Sequence, residues 1–285
     1  MNYELLFDKM NLWDEGRKSF YLFEKKRAND KAFSTGVDKA LLAFDESVDA
    51  VKEALNSLSL ESGDKLQELT LYVYLLRSEK TLEEYKNRGL EEEIFYESML
   101  DLTMAARRCF EHEGVYGIDE VYTGWSRKVL LLEIFRIGRL EFALVPSNYT
   151  CEIDGFTLEK GELSIGTHIP AYDKLTVENC EESYERARVF YKEHFGLERC
   201  FFTCASWMMH PWLKEDLGES SAIVQFNSKY KVFEVVDDGV APIGWVFKTK
   251  RENPEDYPEN TSIQRKLKAR ILEGRPFGYG VGVRL

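Results

Sequence analysis

His168 and His210 are two of only four histidines in a chain of 285 residues, and each closes a run that reads as a strand. "ELSIGTHIP" carries the first and "RCFFTCASWMMHP" the second. Imidazole titrates near neutrality, so either ring could accept or deliver a proton under ordinary conditions. Ser206 and Trp207 stand in the same run as His210. A serine hydroxyl there could orient a carbonyl, and an indole could wall a cleft. Each residue also has a plainer use. His168, before Ile169-Pro170, can end a strand with its ring bonded to a carbonyl. His210, before Pro211, can open a helix, because proline suits the first helical position. Ser206 can cap that helix, and Trp207, Met208 and Met209 serve a core as readily as a binding wall. Cys204 lies two residues before Ser206, on the same strand face, with no activating neighbour; it reads as a buried thiol. His112 and His194 fall in charged helical contexts and read as solvated.

What would bring the two rings together is the stretch between them. "ENCEESYERARVFYKEHF" is one helix long and separates the two strands. A crossover of that length makes the strands parallel and is right-handed in nearly all proteins. Their carboxyl ends then lie at one edge of the sheet, where open α/β sheets bind ligands. The expectation is that His168, Ser206, Trp207 and His210 share one rim, with both imidazoles facing a single hollow.

The flanking sequence has two textures. Residues 1–138 read as a helical N-terminal domain. "KALLAFDESVDAVKEAL" spaces Leu41, Phe44, Val48 and Val51 on one helical face, "IFYESMLDLTMAARRCFEHEG" keeps a helical spacing likewise, and Gly114 and Gly117 break that later pattern. "GWSRKVLLLEIFRIG" starts a further helix that Gly138 can end. Residues 139–285 read as a mixed α/β sheet domain, so the fold class is α+β. Here "RLEFALVPS", two runs turning at Asp154-Gly155 and Lys160-Gly161, "SAIVQF", "KYKVFEVV" and "PIGWVFK" read as extended. "PWLKEDLG" and "SIQRKLKARILEG" read as helices, with the polar loop "TKRENPEDYPEN" before the second. The tail "RPFGYGVGVRL" mimics a phosphate loop, but no helix follows to aim amides at an anion, so a bulged terminal strand is expected.

Composition narrows the function classes. Hydrophobic residues make up 44% and charged residues 31%, as in a globular protein with a sizeable core. A net charge of −12 argues against nucleic acid and anionic membrane as partners. No stretch is apolar enough to span a bilayer, and the first residues lack a signal peptide's pattern, so a cytoplasmic location is expected. The five cysteines form no Cys-x-x-Cys pair, which argues against a disulfide framework and a structural zinc site; no metal is expected. Hydrolysis through Ser206 lacks a Gly-x-Ser-x-Gly elbow.

At "LEEYKNRGL", "GWSRKVLLLEIFRIGRLEF", "THIPAYDKLT", "CASWMMHPWL", "SAIVQFNSKYKVFE" and the glycine-rich end, the chain resembles bacterial acyltransferase-domain proteins. These have an N-acyltransferase N-terminal domain followed by a GNAT-like C-terminal domain. The resemblance runs in consistent order over most of the chain. It implies an N-acyltransferase that moves an acyl group from a thioester donor to a small amine, with acyl-CoA as co-substrate and no permanently bound cofactor. It further implies a V-shaped splay between strands 162–169 and 199–207 that receives the pantetheine arm, and a loop at 170–177 that grips the diphosphate. Ile169, Ala171, Lys174, Thr176 and Trp207 would contact the donor. His168 and His210 would move protons, Ser206 would position the carbonyl and Tyr230 would protonate the leaving thiolate. The loop departs from the family-wide glycine signature: "IPAYDKLTVENCEES" has no glycine, and Glu178, Glu181 and Glu182 follow. A pantetheine-bearing acyl carrier protein as donor, or a catalytically inactive small-molecule sensor on the same scaffold, are the alternatives.

Overall fold

The computed structural model describes residues 1–248 and 252–285, so the polar loop at 249–260 begins outside the described residues. The chain divides into two compact units, Met1–Ile137 and Gly138–Leu285.

The first unit consists of helices α1 (Tyr3–Lys9), α2 (Asp14–Asn29), α3 (Lys31–Ala43), α4 (Val48–Ser62), α5 (Leu66–Arg88), α6 (Glu92–Glu113) and α7 (Glu120–Leu130), then a short strand, β1 (Phe135–Ile137). α5 is its centre: Leu69, Leu71, Tyr72, Val73, Tyr74 and Leu75 are all buried, so the first half of the helix is covered on every side. Two sequence expectations change here. The run from Lys39 to Leu55 is not one helix, because Ser47 accepts a hydrogen bond from the Ala50 amide and starts a new one. The helix expected to reach Gly138 stops at Leu130. Leu132 takes a left-handed φ of 58°, and the β-favouring Ile134-Phe135-Arg136-Ile137 run extends beyond it, with the Arg136 amide donating to Ser98 Oγ at 3.0 Å.

The second unit holds β2 (Leu140–Pro146), the hairpin β3 (Cys151–Ile153) and β4 (Phe156–Leu158), β5 (Leu163–His168), α8 (Val177–Phe195) and β6 (Phe202–Ser206). There follow α9 (Trp212–Leu217), α10 (Ala222–Asn227), β7 (Lys231–Val236), α11 (Ile243–Phe247), α12 (Ser262–Leu272) and β8 (Tyr279–Arg284). Its main sheet runs in the order β2-β5-β6-β8-β7. β5 and β6 are parallel, as one helical crossover requires, and the other neighbours are antiparallel. One sheet face packs on α8, where the Tyr184 ring meets Phe142 and Phe202 edge-on. The β3-β4 hairpin packs on the other through Cys151, Ile153, Leu158, Phe201 and Val283.

"SAIVQF" and "PIGWVFK" form helices α10 and α11 rather than strands. Their β-branched residues favour extension locally, but Val224, Val246 and Phe247 complete a second core around Trp212, Leu213, Tyr257, Leu267 and Phe277. Packing outweighs propensity in segments this short. The glycine-rich tail is the strand β8, and the irregularity in its pairing lies on β7, between Val232 and Glu234. Its glycines answer to space. A Cβ at Gly278 would sit 2.0 Å from the Val236 carbonyl oxygen, and one at Gly280 would sit 2.8 Å from that of Met209. Replacing Gly278 with alanine forces backbone apart and is expected to cost about 1–3 kcal/mol, read as a lower denaturant midpoint at unchanged slope.

Candidate active site

The site begins where β5 and β6 part. Their register is Ile165 with Phe202 and Gly166 with Thr203, reinforced by the Ile165 amide donating to the Phe201 carbonyl at 2.8 Å. Beyond that point the two strands share no further register, yet neither ends. β5 stays paired with β2 as far as His168 opposite Glu141, and β6 stays paired with β8 as far as Ser206 opposite Gly280. Each is held by its outer neighbour, so a V-shaped opening forms at their carboxyl ends.

Alternation sorts the side chains at this opening. Thr167, Cys204 and Ser206 point to the α8 face, whereas Gly166, His168, Thr203 and Ala205 point to the other. His168 Nε2 lies 3.7 Å from where a Gly166 Cβ would stand, which confirms their common face. His168 is half-buried and Ala205 is exposed, so the imidazole sits on the accessible side of the opening.

The α8 side is closed and polar. The Tyr184 and Tyr230 hydroxyls are hydrogen-bonded to each other, and burial raises both phenols far above their ordinary range. Both therefore stay protonated and can only be hydrogen-bond donors or acceptors. Thr167 Oγ1 lies beside both phenols but outside hydrogen-bond geometry, and it is buried with no partner among the described residues. The Arg284 guanidinium stacks 3.9 Å from the Tyr184 ring centre and binds the Glu181 carboxylate through two hydrogen bonds of 2.9 and 2.8 Å. That pairing holds Glu181 below the usual carboxylate range. Cys204, fully enclosed, has its thiol pushed up to about 12 by burial, so it offers no nucleophile.

His210 has a different place from the one expected. Its Nδ1 accepts the Trp212 amide at 3.2 Å and its Nε2 meets Asp237 Oδ1 at 2.8 Å, with the residue only 5% exposed. Because Nδ1 accepts, the neutral ring carries its proton on Nε2 and donates it to Asp237. Neither nitrogen is left to serve as a base. His210 lines a cavity of about 900 Å³ together with Met209, Leu213, Val224, Asn227 and Val232, and no residue of β5 reaches it. The two imidazoles therefore do not face a common hollow: the turn Trp207–Met209 carries the chain away from the opening before His210 is reached.

Ser206 caps that turn by accepting the Met208 amide at 3.2 Å. Trp207 packs against the Trp212 core. Thr176 caps α8 by accepting the Asn179 amide at 3.2 Å. Ile169 and Ala171 are half-buried and Lys174 is exposed. Sequence reasoning missed Arg139, Thr167, Tyr184 and Asp237. Tyr184 stands in the apolar stripe of its helix, where nothing marks its hydroxyl as special. Arg139 adjoins the boundary between the two textures, and the loop carbonyls it binds leave no trace in residue type.

Parallel strands prised apart at their carboxyl ends, with a helix crossing between them, define the GNAT-like class of scaffold. Residues 134–284 match the GNAT-like C-terminal domain and residues 1–130 the N-acyltransferase N-terminal domain, and the chain belongs to this acyltransferase family. Among solved structures it is similar to an acyltransferase in complex with decanoyl-CoA and teicoplanin. There the TM-score is 0.78 at 20% identity, over 99% of this chain and 86% of that one. It is also similar to an acyltransferase in complex with CoA and 10C-teicoplanin, with a TM-score of 0.68 at 23% identity over 79% and 68%. At these identities the likeness is one of fold. Comparison with curated protein sequences found no match. Among the described residues no helix is long and apolar enough to cross a membrane.

The Arg284–Glu181 pair gives a pH-dependent prediction. A carboxylate held low in the folded state stabilises it above the ordinary value of 4.5, and that contribution fades as pH falls through the lowered one. Glu181→Gln is expected to reduce stability at pH 7, with its difference from wild type narrowing below pH 4.5, as followed by denaturant unfolding across pH.

Proposed function

We propose that the protein transfers an acyl group from acyl-CoA to an amine at the opening between β5 and β6. The observation that carries this reading is the parting of the two parallel strands with His168 on its accessible face. The pantetheine arm would enter the opening and present the thioester carbonyl beside His168. The amine nitrogen attacks that carbon, the C–N bond forms and the C–S bond breaks. The amine's proton passes to His168, and the imidazolium so formed returns it to the departing thiolate, leaving an amide, a free thiol and a neutral ring. Tyr230 remains a phenol throughout, and with Tyr184 and Thr167 it supplies hydroxyls toward the closed side, where charge develops on oxygen or sulfur. In this arrangement His168 is the base, Tyr230 is a donor, and Ser206, Trp207 and His210 keep structural places.

The family to which the chain belongs and the acyl-CoA complexes of its structural neighbours support this donor. An objection from sequence also weakens. Glu181, one of three glutamates expected to repel a diphosphate, has its charge answered by Arg284. The cavity beside His210, lined by Met209, Leu213, Val224 and Val232 with Lys214 and Glu219, is separate from the opening that holds His168 and takes no part in this step.

His168→Gln is expected to lower kcat/KM for acyl transfer by about 10²–10⁴-fold while acyl-CoA still raises the melting temperature. Retained activity removes His168 as base. Wild-type protein whose melting ignores saturating acyl-CoA overturns the donor, and transfer from an acylated carrier protein alone would replace it. Binding without turnover in wild type is what the noncatalytic sensor would give.

A further inference from the structure

We propose that Arg139 is a positioning residue that shapes the donor-binding loop at 170–177, doing with a side chain what glycines would do through backbone freedom. This rests on the acyl-CoA reading above.

Arg139 immediately precedes β2 and is 8% exposed. Its Nε–H donates to the Lys174 carbonyl at 3.0 Å and its Nη2–H to the Asp173 carbonyl at 3.1 Å. The same residue is fixed at its backbone, where its amide donates to Ser183 Oγ on α8 at 2.8 Å. Gly138 lies so close to that hydroxyl that a Cβ would come within 2.9 Å of it. The guanidinium thus projects from a point bolted to α8 and grips the loop that leads into α8.

The grip determines where the loop's donors face. In a trans peptide the N–H points opposite to the C=O, and no cis peptide bond occurs among the described residues. Two successive carbonyls drawn to one guanidinium turn the N–H groups of Lys174 and Leu175 to the far side. Neither donates a hydrogen bond to any described residue. Adjacent amides presented together form an anion-accepting concavity, the chemistry a diphosphate requires. Because arginine stays protonated at every workable pH, the hold does not switch off.

Two donors with the same thioester separate this role from a structural one: acyl-CoA, which carries the diphosphate, and acyl-pantetheine, which lacks it. Arg139→Met is expected to raise KM for acyl-CoA by about tenfold, the equivalent of one charge-assisted hydrogen bond, with kcat little changed. Its constants for acyl-pantetheine should match wild type. Arg139→Lys, which keeps the charge and fewer donors, should fall between and carries the test if the methionine variant does not fold. Equal loss with both donors, or no rise in KM for acyl-CoA, overturns the proposal while leaving the donor assignment intact. Wild-type protein that uses and binds neither donor overturns both.

Discussion

The opening between β5 and β6 depends on unequal competition for backbone hydrogen bonds. Each strand has an inner neighbour, the other strand, and an outer one that keeps its pairing further along. β2 holds β5 to His168 and β8 holds β6 to Ser206, whereas the inner register ends at Gly166 and Thr203. The outer ladders fix the separation without strain in either strand. On the proposed reading, the donor would lie along the edges of β5 and β6 beyond that register, where the two strands no longer pair with each other. Everything assigned to donor binding depends on that division.

The two faces of the opening differ in kind. On the α8 side, aromatic rings, a guanidinium and three hydroxyls form a packed polar layer in which Tyr184 links Phe142, Phe202, Tyr230 and Arg284. Burial there suppresses ionisation of phenols and of the Cys204 thiol alike. On the other side a half-buried imidazole stands next to the small residues Gly166 and Ala205. On the proposed reading, the imidazole on the open face would take a proton from the incoming nucleophile, and the un-ionised hydroxyls on the closed one would meet the charge that develops on the group being attacked.

The parts visible in the sequence were those governed by local pattern. The order β5-α8-β6 and its parallel sense follow from one amphipathic crossover, and β8 follows from a glycine-rich run with no helix after it. The parts that were not visible depend on distant partners. α10 and α11 are helical because Val224, Val246 and Phe247 fill a core assembled from α9, α12 and the segment before β8. His210 looked like a free imidazole because Asp237, which occupies its Nε2, belongs to the stretch after β7. His168 was legible as a strand-end histidine on the opening, but only the pairing register assigns its face. Arg139 acts on carbonyls, which every residue has, so its partners could not be read from side-chain type.

The position of β8 has a consequence for the order of assembly. It inserts between β6 and β7, and it reaches β6 only after α9, α10, β7, α11 and α12 have intervened along the chain. Until it docks, the outer edge of β6 has no partner and nothing draws that strand away from β5. Contacts so remote in sequence form slowly. The opening between β5 and β6 is therefore among the last features to mature, and on the proposed reading a partly folded molecule would have its helices in place before it had anywhere to bind a substrate.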